Sequence, residues 1–458
     1  MKLFTSDKNF YRKTIRLAVP ITLQCLISIS VNMMDNIMVG ALGENALSAV
    51  SLANQFINIF TFACMGLGQG ASILATRFWG MKDTDALKKV ISIALRYCIV
   101  ISLLFTAVTL FFPEFIMRMY IADAAVIAEG LRYLQISVYC YIFYGLSLIG
   151  ANILRSIGQV KVPLYTAILA FFINVGFNYV FIFGKLGFPA MGTKGAALGT
   201  LFARILEFGI TFGYLLCKEK HIRYRLRDIF LRSTHLNQEF IKVALPVMVS
   251  DTLQGFGNHL IAMVTGRIGA AFVSAYSITT VIQQLSSVLT QGIAQSSSIV
   301  IGHTLGRGER NKAKEEANAF VGLGMIVGAA AGVLILLVAN PIIACYNITE
   351  TTRQMAQQLM YAIAFIIFFR SINSILTKGV LRGGGDTRFL MVADILFLWI
   401  ASVPLGYLAG VVCKAPAFWI YCALKIDEIL KCILCYYRLR NEKWIKKISA
   451  EKGETVYE

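Results

Sequence analysis

Charged residues are scarce in this chain, since only 15% of its 458 residues are Asp, Glu, Lys or Arg. A soluble domain contains about a quarter, so this scarcity excludes an ordinary soluble globular protein. Hydrophobic residues make up 57% of the sequence, and the mean hydropathy is +0.67. Apolar runs of about 20 residues, the length that crosses a bilayer, recur from end to end. The composition therefore predicts an all-α integral membrane protein with many spans.

Residues that build metal, redox or nucleotide sites are also sparse. The four His residues are scattered, and Cys432 and Cys435 form a CxxC that no second CxxC accompanies. A structural metal site needs about four ligands, so we expect no metal centre and no cofactor, and we interpret the cysteines as small hydrophobes. The segment RGGGDTR at 382–388 lacks the Lys-Ser/Thr context of a phosphate loop. ATP-driven pumping is disfavoured. The ten cysteines are Cys25, Cys64, Cys98, Cys140, Cys217, Cys345, Cys413, Cys422, Cys432 and Cys435.

The net charge of +18 comes from Lys and Arg residues that cluster in alternate loops. Membrane proteins show this distribution because cytoplasmic loops carry the excess positive charge. It predicts a multi-pass protein of the cell membrane with both termini in the cytoplasm, surrounded by lipid, and it argues against a nucleic-acid partner. The polar, basic N-terminus is followed by an apolar run too long for a cleavable signal peptide. We expect the first helix to stay in the membrane, and we expect a monomer.

The hydrophobic pattern predicts twelve membrane-spanning helices. A basic segment near 218–242 separates the first six from the last six and is interpreted as a cytoplasmic linker. The even number of spans places both termini on one side. The predicted spans lie near 15–39, 51–76, 91–112, 131–151, 163–184, 195–217, 240–264, 276–301, 317–339, 357–380, 390–412 and 417–437.

The two halves of the chain repeat each other. VPITLQ…IMVGALG at 19–43 aligns with LPVMVS…MVTGRIG at 245–269 at an offset of 226 residues, and ILRSIGQVKVP at 153–163 aligns with VLRGGGDTRFL at 380–390 at 227. Because the offset spans six helices, the copies share one orientation, which is the parallel repeat of many secondary transporters. We therefore predict two six-helix lobes, residues 1–225 and 226–458. The aligned pairs are Pro20 with Pro246, Gly40 with Gly266, Gly43 with Gly269, Gln69 with Gln295 and Gly80 with Gly306.

One acid stands inside the first apolar helix. Asp35 lies with Asn32 and Asn36 in the run from Leu17 to Gly40. A carboxylate at this depth costs a few kcal/mol and usually faces the protein interior or a wet cavity. We interpret Asp35 as the leading candidate for an ion-handling group. The alternative is a structural hydrogen-bonding Asp near the helix end.

Four segments, in this order and spacing, resemble the MATE (multidrug and toxic compound extrusion) family, and the resemblance extends over essentially the whole chain. The resemblance implies two six-helix lobes in a V with a central cavity. It also implies export of organic, often cationic, compounds by alternating access in exchange for Na⁺ or H⁺, which makes the protein a secondary active transporter and not an enzyme. The segments are MDNIMVGALG (34–43), LPVMVSDTLQ (245–254), GVLRGGGDTR (379–388) and LKIDEILKCILCYYRLRNEKW (424–444).

The resemblance also implies sites for the coupling cation. In the N-lobe, the family's first-helix acid corresponds to Asp35, and a fifth-helix pair corresponds to Asn174 and Asn178. Some relatives carry an Asp at the second of these positions, so one carboxylate is expected here instead of two, with Na⁺ as a possible ligand of the three residues. In the C-lobe, the seventh-helix Glu of the family appears as Asp251.

The tenth-helix acid that some family members carry is absent from this chain. Ser371 and Asn373 stand in its segment instead, and Asp394 in the eleventh helix is a carboxylate that could compensate, with Lys378 or Arg370 as its alternative ion-pair partners. The C-lobe cation site therefore departs further from the family's pattern than the N-lobe site does.

The remaining intramembrane polar residues carry weaker signals. Gln283 and Gln284 are our candidates for substrate contact, although interhelical hydrogen bonding explains most intramembrane Gln. Arg204 and Glu207, three residues apart, are expected to neutralise each other. Lys425, Asp427, Glu428 and Lys431 are interpreted as a structural charge cluster.

Three other functions compete with a drug exporter. A flippase of lipid-linked precursors from the same superfamily would need a basic cavity, whereas the predicted cavity helices carry acids and amides. A membrane-embedded enzyme would need a clustered His, Cys or Asp site in adjacent helices, which the sequence does not suggest. A channel is less favoured than a transporter because of the two-lobe repeat.

Overall fold

A computed structural model of the chain describes residue 5, residues 7–344, residue 346 and residues 348–448. Cys345 and the terminal residues 1–4 and 449–458 lie outside the described residues, as do our expectations for them. The described residues form helices and connecting turns without a strand, so the predicted all-α architecture is confirmed.

Twelve helical segments match the twelve predicted spans one to one within the described ranges, and most are longer than predicted. α4 and α12 each consist of two helices in succession. α6, α10 and α11 contain π-helical turns, which frequently occur at functional sites. The helices are α1 (Lys8–Gly40), α2 (Glu44–Met81), α3 (Thr84–Phe111), α4 (Ala124–Ser137 and Cys140–Ser156), α5 (Lys161–Phe183), α6 (Thr193–Lys218), α7 (Thr234–Ile268), α8 (Ala270–Gly306), α9 (Arg310–Ala344), α10 (Glu350–Leu381), α11 (Thr387–Val412) and α12 (Ala417–Leu424 and Ile426–Arg440).

Within the described part of the chain, eight of these helices are long and apolar enough to cross a membrane. The two parts of α4, bent by 57° relative to each other, form a ninth candidate. The other three are α7, α8 and α12. They carry more polar side chains, and α12 is interrupted at Lys425. Polar residues in a membrane helix usually face the protein interior, so these helices are candidates for the lining of a site.

The chain divides into two compact units. One contains residues Leu23–Met248 and the other contains Met1–Thr22 together with Val249–Ser449. We call them the N-lobe and the C-lobe. The first part of α1 thus packs in the C-lobe, and the first part of α7 packs in the N-lobe. In each helix, the part that packs in the other lobe ends two residues after an interior proline, Pro20 in α1 and Pro246 in α7.

Glycines let helices approach each other at equivalent places in the two lobes. In the N-lobe, a side chain at Gly66 of α2 would overlap the backbone of Met248. In the C-lobe, a side chain at Gly292 of α8 would overlap Thr22. Small residues at such positions let membrane helices pack closely. The two contacts are related by the offset of 226 residues found in the sequence, so the internal repeat is also a repeat of packing.

The glycine-rich turn after α10 accommodates the C-terminal tail. Gly385 has φ +84°, a left-handed conformation that favours glycine. A side chain at Gly384 would overlap Trp444, which is fully buried, and the Gly384 carbonyl accepts a hydrogen bond from the Lys446 amide at 2.9 Å. Asp386 forms an ion pair with Arg438 at 2.7 Å. The run of glycines therefore serves close packing.

Substituting Trp444 by Ala is expected to destabilise the C-lobe strongly. Removal of a fully buried Trp leaves a cavity that costs about 3–5 kcal/mol. The matched control is Trp419→Ala, because the Trp419 side chain is 62% exposed. The apparent melting temperature of each purified variant in detergent measures the effect. Equal shifts for the two variants would contradict this role of the tail.

Candidate functional site

The N-lobe contains a cavity of about 170 Å³ between α1, α4, α5 and α6. α1 contributes Gln24, Ser28, Val31 and Asp35, which follow one another at intervals of three or four residues and so share one helix face. Asn32 of α1 also lines the cavity, and the remaining polar lining residues come from α4, α5 and α6. They are Tyr144, Ser147, Thr166, Asn174, Thr200, Arg204, Glu207 and Thr211.

Asp35 lies at this cavity, where the sequence predicted an interior position. One of its carboxylate oxygens, Oδ1, accepts a hydrogen bond from Nδ2 of Asn178 at 2.6 Å. The same Nδ2 lies 3.4 Å from Oδ1 of Asn174, and Nδ2 of Asn174 donates to Oγ1 of Thr200 at 3.4 Å. The structure therefore brings the three predicted N-lobe residues together, with Thr200 as a fourth that the sequence analysis did not single out.

The oxygen atoms of this cluster suit a hard cation or a proton. The Oδ1 atom of Asn178 is buried and has no hydrogen-bond partner among the described residues. Carboxylate, amide and hydroxyl oxygens are the ligands that hard cations prefer. A protonated Asp35 would also need an acceptor, and rotation of the Asn178 amide would supply one. The geometry of the cluster is compatible with either coupling ion.

A glycine in α6 makes room for Asn178. A side chain at Gly199 would overlap Oδ1 of Asn178, and a side chain at Gly195, one turn earlier, would overlap the backbone of Phe181. α5 and α6 thus pack closely enough that α6 fixes the position of the Asn178 amide. In the sequence, the pattern that could have indicated this close helix packing is the pair of small residues four positions apart, Gly195 and Gly199.

Gly199→Ala is expected to displace the Asn178 amide from Asp35 and to lower ion-coupled transport. Gly209→Ala is the matched control, since a Cβ at Gly209 of the same helix would meet no atom within 4 Å. Both changes raise helix propensity by about 1 kcal/mol, so only the contact with Asn178 distinguishes them. Transport rates in vesicles measure the effect. A Gly199→Ala variant as active as Gly209→Ala would refute this positioning role.

A charge pair faces the same N-lobe cavity. Nη1 of Arg204 lies 2.7 Å from Oε2 of Glu207, and the Arg204 guanidinium stacks on Tyr144 with its carbon 4.0 Å from the ring centre. The predicted pairing of Arg204 with Glu207 is confirmed. Glu207 is a second carboxylate at this cavity besides Asp35, and Arg204 neutralises it. The cluster of Asp35, Asn174 and Asn178 itself contains one carboxylate, as the resemblance implies.

The C-lobe contains a smaller cavity of about 70 Å³ between α7, α8, α10, α11 and α12. Its lining includes four basic residues besides the acids and amides that the sequence predicted for the cavity helices. α10 and α12 turn these basic residues toward the cavity, and three of them, Arg370, Arg382 and Lys431, lie within 3.8 Å of a carboxylate. The charged lining residues are Arg370, Lys378, Arg382, Asp394, Glu428 and Lys431.

Asp251 and Asp394, the predicted C-lobe cation ligands, are both engaged in ion pairs. Arg382 contacts the two carboxylate oxygens of Asp251, at 2.6 and 3.3 Å. Asp394 accepts a hydrogen bond from Ser250 and lies 3.2 Å from Nζ of Lys431. Lys378 and Arg370, the partners suggested for Asp394 from the sequence, make no ion pair with it.

The last helix brings further acids to the C-lobe network. Lys431 also contacts Asp427 at 2.9 Å, so part of the charge cluster predicted in α12 is confirmed. Glu428 accepts a hydrogen bond from Asn373 at 2.6 Å and lies 3.8 Å from Nε of Arg370. A carboxylate from α12 thus reaches the segment where some relatives carry a tenth-helix acid. The sequence analysis did not predict this contact, because the distance between α10 and α12 cannot be read from the sequence.

Gln283 and Gln284, the predicted substrate contacts, point in different directions from α8. Gln283 is buried and Gln284 is exposed. Neither belongs to the residues that line the two cavities described above. Their part in substrate contact stays a prediction.

Comparison with known proteins gives one consistent result. The MatE family model matches residues 20–180 and 246–408, which is one copy in each half of the chain. The uncharacterised transporter YisQ of Bacillus subtilis is 23% identical over 96% of both chains. A protein of Thermotoga maritima described as a probable multidrug resistance protein, NorM, is 21% identical over 95% of this chain and 93% of its own length.

A solved structure has the same fold. It is described as the outward-facing conformation of a multidrug resistance MATE family transporter, and it aligns with a TM-score of 0.86 and 19% identity over 97% of this chain and all of its own. The predicted fold of twelve helices in two lobes is therefore confirmed.

Proposed function

Because the chain belongs to the MatE family, whose members are membrane transporters, we propose that it is a secondary active transporter that exports organic compounds in exchange for Na⁺ or H⁺. The observation that carries the coupling step is the Asp35 carboxylate, which is hydrogen-bonded to Asn178 at an N-lobe cavity. We place the protein in the cell membrane as a monomer, with both termini in the cytoplasm.

The exchange of an organic cation for Na⁺ or H⁺ is explained by the charge of Asp35. An ionised Asp35 places a negative charge in a protein interior of low dielectric, where a lone charge is costly. A proton, or a sodium ion held by Asp35, Asn174 and Asn178, removes that net charge. A cationic organic compound is attracted by the same field and would compete with the ion. The ion shifts the transporter between its states only as far as it binds one of them more tightly than the other.

We assign Asp251 and Asp394 a weaker part in coupling. Each already has a basic partner, and freeing either acid for a cation would leave that partner unpaired in the interior, which is costly. Their contacts support a structural role in the C-lobe.

A lipid-precursor flippase is the less favoured alternative. The basic C-lobe cavity is the feature that such an activity would need, because a pyrophosphate carries several negative charges. However, acids from this lobe already contact Arg382 and Lys431 within 3.3 Å, and Glu428 lies near Arg370. Three of the four cations are thus partly or fully neutralised, and the relative from Thermotoga maritima is named a probable multidrug resistance protein.

Transport by the purified protein in liposomes tests the proposal. Ethidium should move across the membrane when a sodium gradient or a pH gradient is imposed, and should stop when that gradient is collapsed. Movement with only one gradient identifies the coupling ion. Absence of ethidium movement under both gradients would overturn the proposal.

A further inference from the structure

One lysine of the C-lobe cavity, Lys378, has no ion-pair partner among the residues that the structure describes. Lys378 lies in the π-helical turn Ile375–Leu381 of α10, and its side chain is exposed although it lines the cavity. No carboxylate of the described residues lies within 4.0 Å of its ammonium group. The neighbouring cations differ, because each of them has a carboxylate within 3.8 Å.

Three neutral side chains that can form hydrogen bonds line the same cavity and have no hydrogen-bond partner among the described residues. Gln254 of α7, Gln291 of α8 and Ser374 of α10 line the same cavity. Their side chains make no hydrogen bond with any residue between 7 and 448 that the structure describes. Amide groups and the hydroxyl can each donate a hydrogen bond. Among the described residues, the free groups of this cavity therefore include one cation, three neutral side chains that can donate from three helices, and one acceptor, Oδ1 of Asn373.

The acids of the cavity, in contrast, each have partners. Asp394 accepts from Ser250 and contacts Lys431, and Glu428 accepts from Asn373. A cation entering here would have to compete with these partners, whereas an anion would meet an unpaired ammonium. Hydrogen bonds between a charged donor and a carboxylate are among the strongest in proteins. The ammonium of Lys378, together with the three neutral donors, therefore favours an anion.

We propose that Lys378, with Gln254, Gln291 and Ser374, forms a subsite for a carboxylate or a similarly small anionic group of the transported compound. The inference rests on the proposed function, that the chain moves organic compounds. It deepens that function by predicting a preference for zwitterionic compounds, which carry an acid beside their cationic group.

The size of the cavity fits a small group. A water molecule needs about 10–15 Å³ of such space, and the C-lobe cavity offers about 70 Å³. That volume accepts a carboxylate with its attached carbon but not an aromatic ring system. The subsite would hold the acid while the body of the compound lies outside it.

Two dyes that differ only at the carboxylate provide the test. Rhodamine 110 has a free carboxylate, and rhodamine 123 is its methyl ester with the same cationic ring system. Fluorescence polarisation with the purified full-length protein measures the Kd of each dye. We expect rhodamine 110 to bind more tightly, and Lys378→Gln to weaken its binding by about tenfold, or ~1.4 kcal/mol, while the Kd for rhodamine 123 changes less than twofold.

Two further variants control for charge and folding. Lys378→Arg keeps a cation at the position and should preserve the preference for rhodamine 110. Lys414→Gln removes the same charge from the loop between α11 and α12, where Lys414 is exposed, and should change neither Kd. Three results would overturn the subsite. They are loss of binding of both dyes in Lys378→Gln, equal Kd values of the wild type for the two dyes, and no binding of rhodamine 110 to the wild type.

Failure of the subsite differs from failure of the proposed function. Ethidium carries no acid and does not probe the subsite, so its ion-driven movement is measured in the wild type and in Lys414→Gln, where it should persist. If only the subsite is wrong, ethidium still moves and the two rhodamines are not distinguished. If the proposed function is wrong, ethidium does not move in the wild type.

Discussion

Asp35→Asn is expected to lower the initial rate of ion-driven ethidium transport by at least about tenfold, which corresponds to ~1.4 kcal/mol. The amide keeps the shape of the side chain and can still hydrogen-bond with Asn178, but it can neither ionise nor bind a proton or sodium by charge. The conformational equilibrium then loses its sensitivity to the ion gradient. The measurement is transport in liposomes with a defined gradient, normalised to the amount of reconstituted protein.

Two neighbouring variants sharpen this experiment. Asn36→Ala changes the next residue, which is exposed and does not line the N-lobe cavity, and should transport like the wild type. Asp35→Glu retains the carboxylate and should keep part of the rate. Wild-type transport by Asp35→Asn would remove Asp35 from the coupling mechanism, and an equal loss in Asn36→Ala would indicate a general effect on this part of α1.

Arg382→Met is expected to lower the stability of the C-lobe more than any surface substitution. The Arg382 and Asp251 side chains are 4% and 11% exposed, and the pair joins α7 to the end of α10. Removing one partner of a buried ion pair leaves an uncompensated charge and costs about 3–5 kcal/mol. The apparent melting temperature in detergent should fall by several degrees.

A double variant distinguishes a structural role of the Asp251–Arg382 pair from a role in ion coupling. The double variant Asp251→Leu, Arg382→Met removes both charges and should recover most of the lost stability, because a buried pair is often replaceable by apolar residues. Glu114→Gln, in an ion pair with exposed side chains, is the control and should change the melting temperature little. An Asp251→Asn variant that kept its stability but lost transport would instead support a coupling role for Asp251.

The helices and the repeat could be predicted from the sequence because each depends on local or periodic information, whereas the grouping of Asp35 with Asn174 and Asn178 was implied by the resemblance to the MATE family. Apolar length identified the spans, and the offset of 226 residues reappears in the packing of Gly66 and Gly292. Asp35 was conspicuous because an acid inside an apolar helix is costly. The spacing of Asn174 and Asn178 placed both amides on one helix face.

The partners of the C-lobe charges could not be predicted in the same way. Asp251 and Arg382 are 131 residues apart in the sequence, and Asn373 and Glu428 are 55 apart. Composition gives no information about which of several basic residues an acid meets, since that depends on how five helices are rotated about their axes. That Lys378 has no carboxylate within ion-pair distance among the described residues becomes apparent only when the acids around the cavity are seen to pair with Arg370, Arg382 and Lys431.

The exchange of helix segments between the lobes limits how the protein can be divided. Gly66 packs on Met248 and Gly70 on Ala244, so the N-lobe is completed by residues beyond the linker. A fragment that ended near residue 225 would lack both of these partners, and the complementary fragment would lack Thr22. Neither half of the gene would therefore encode a self-sufficient module, and a split transporter would have to be assembled from both polypeptides made in the same cell.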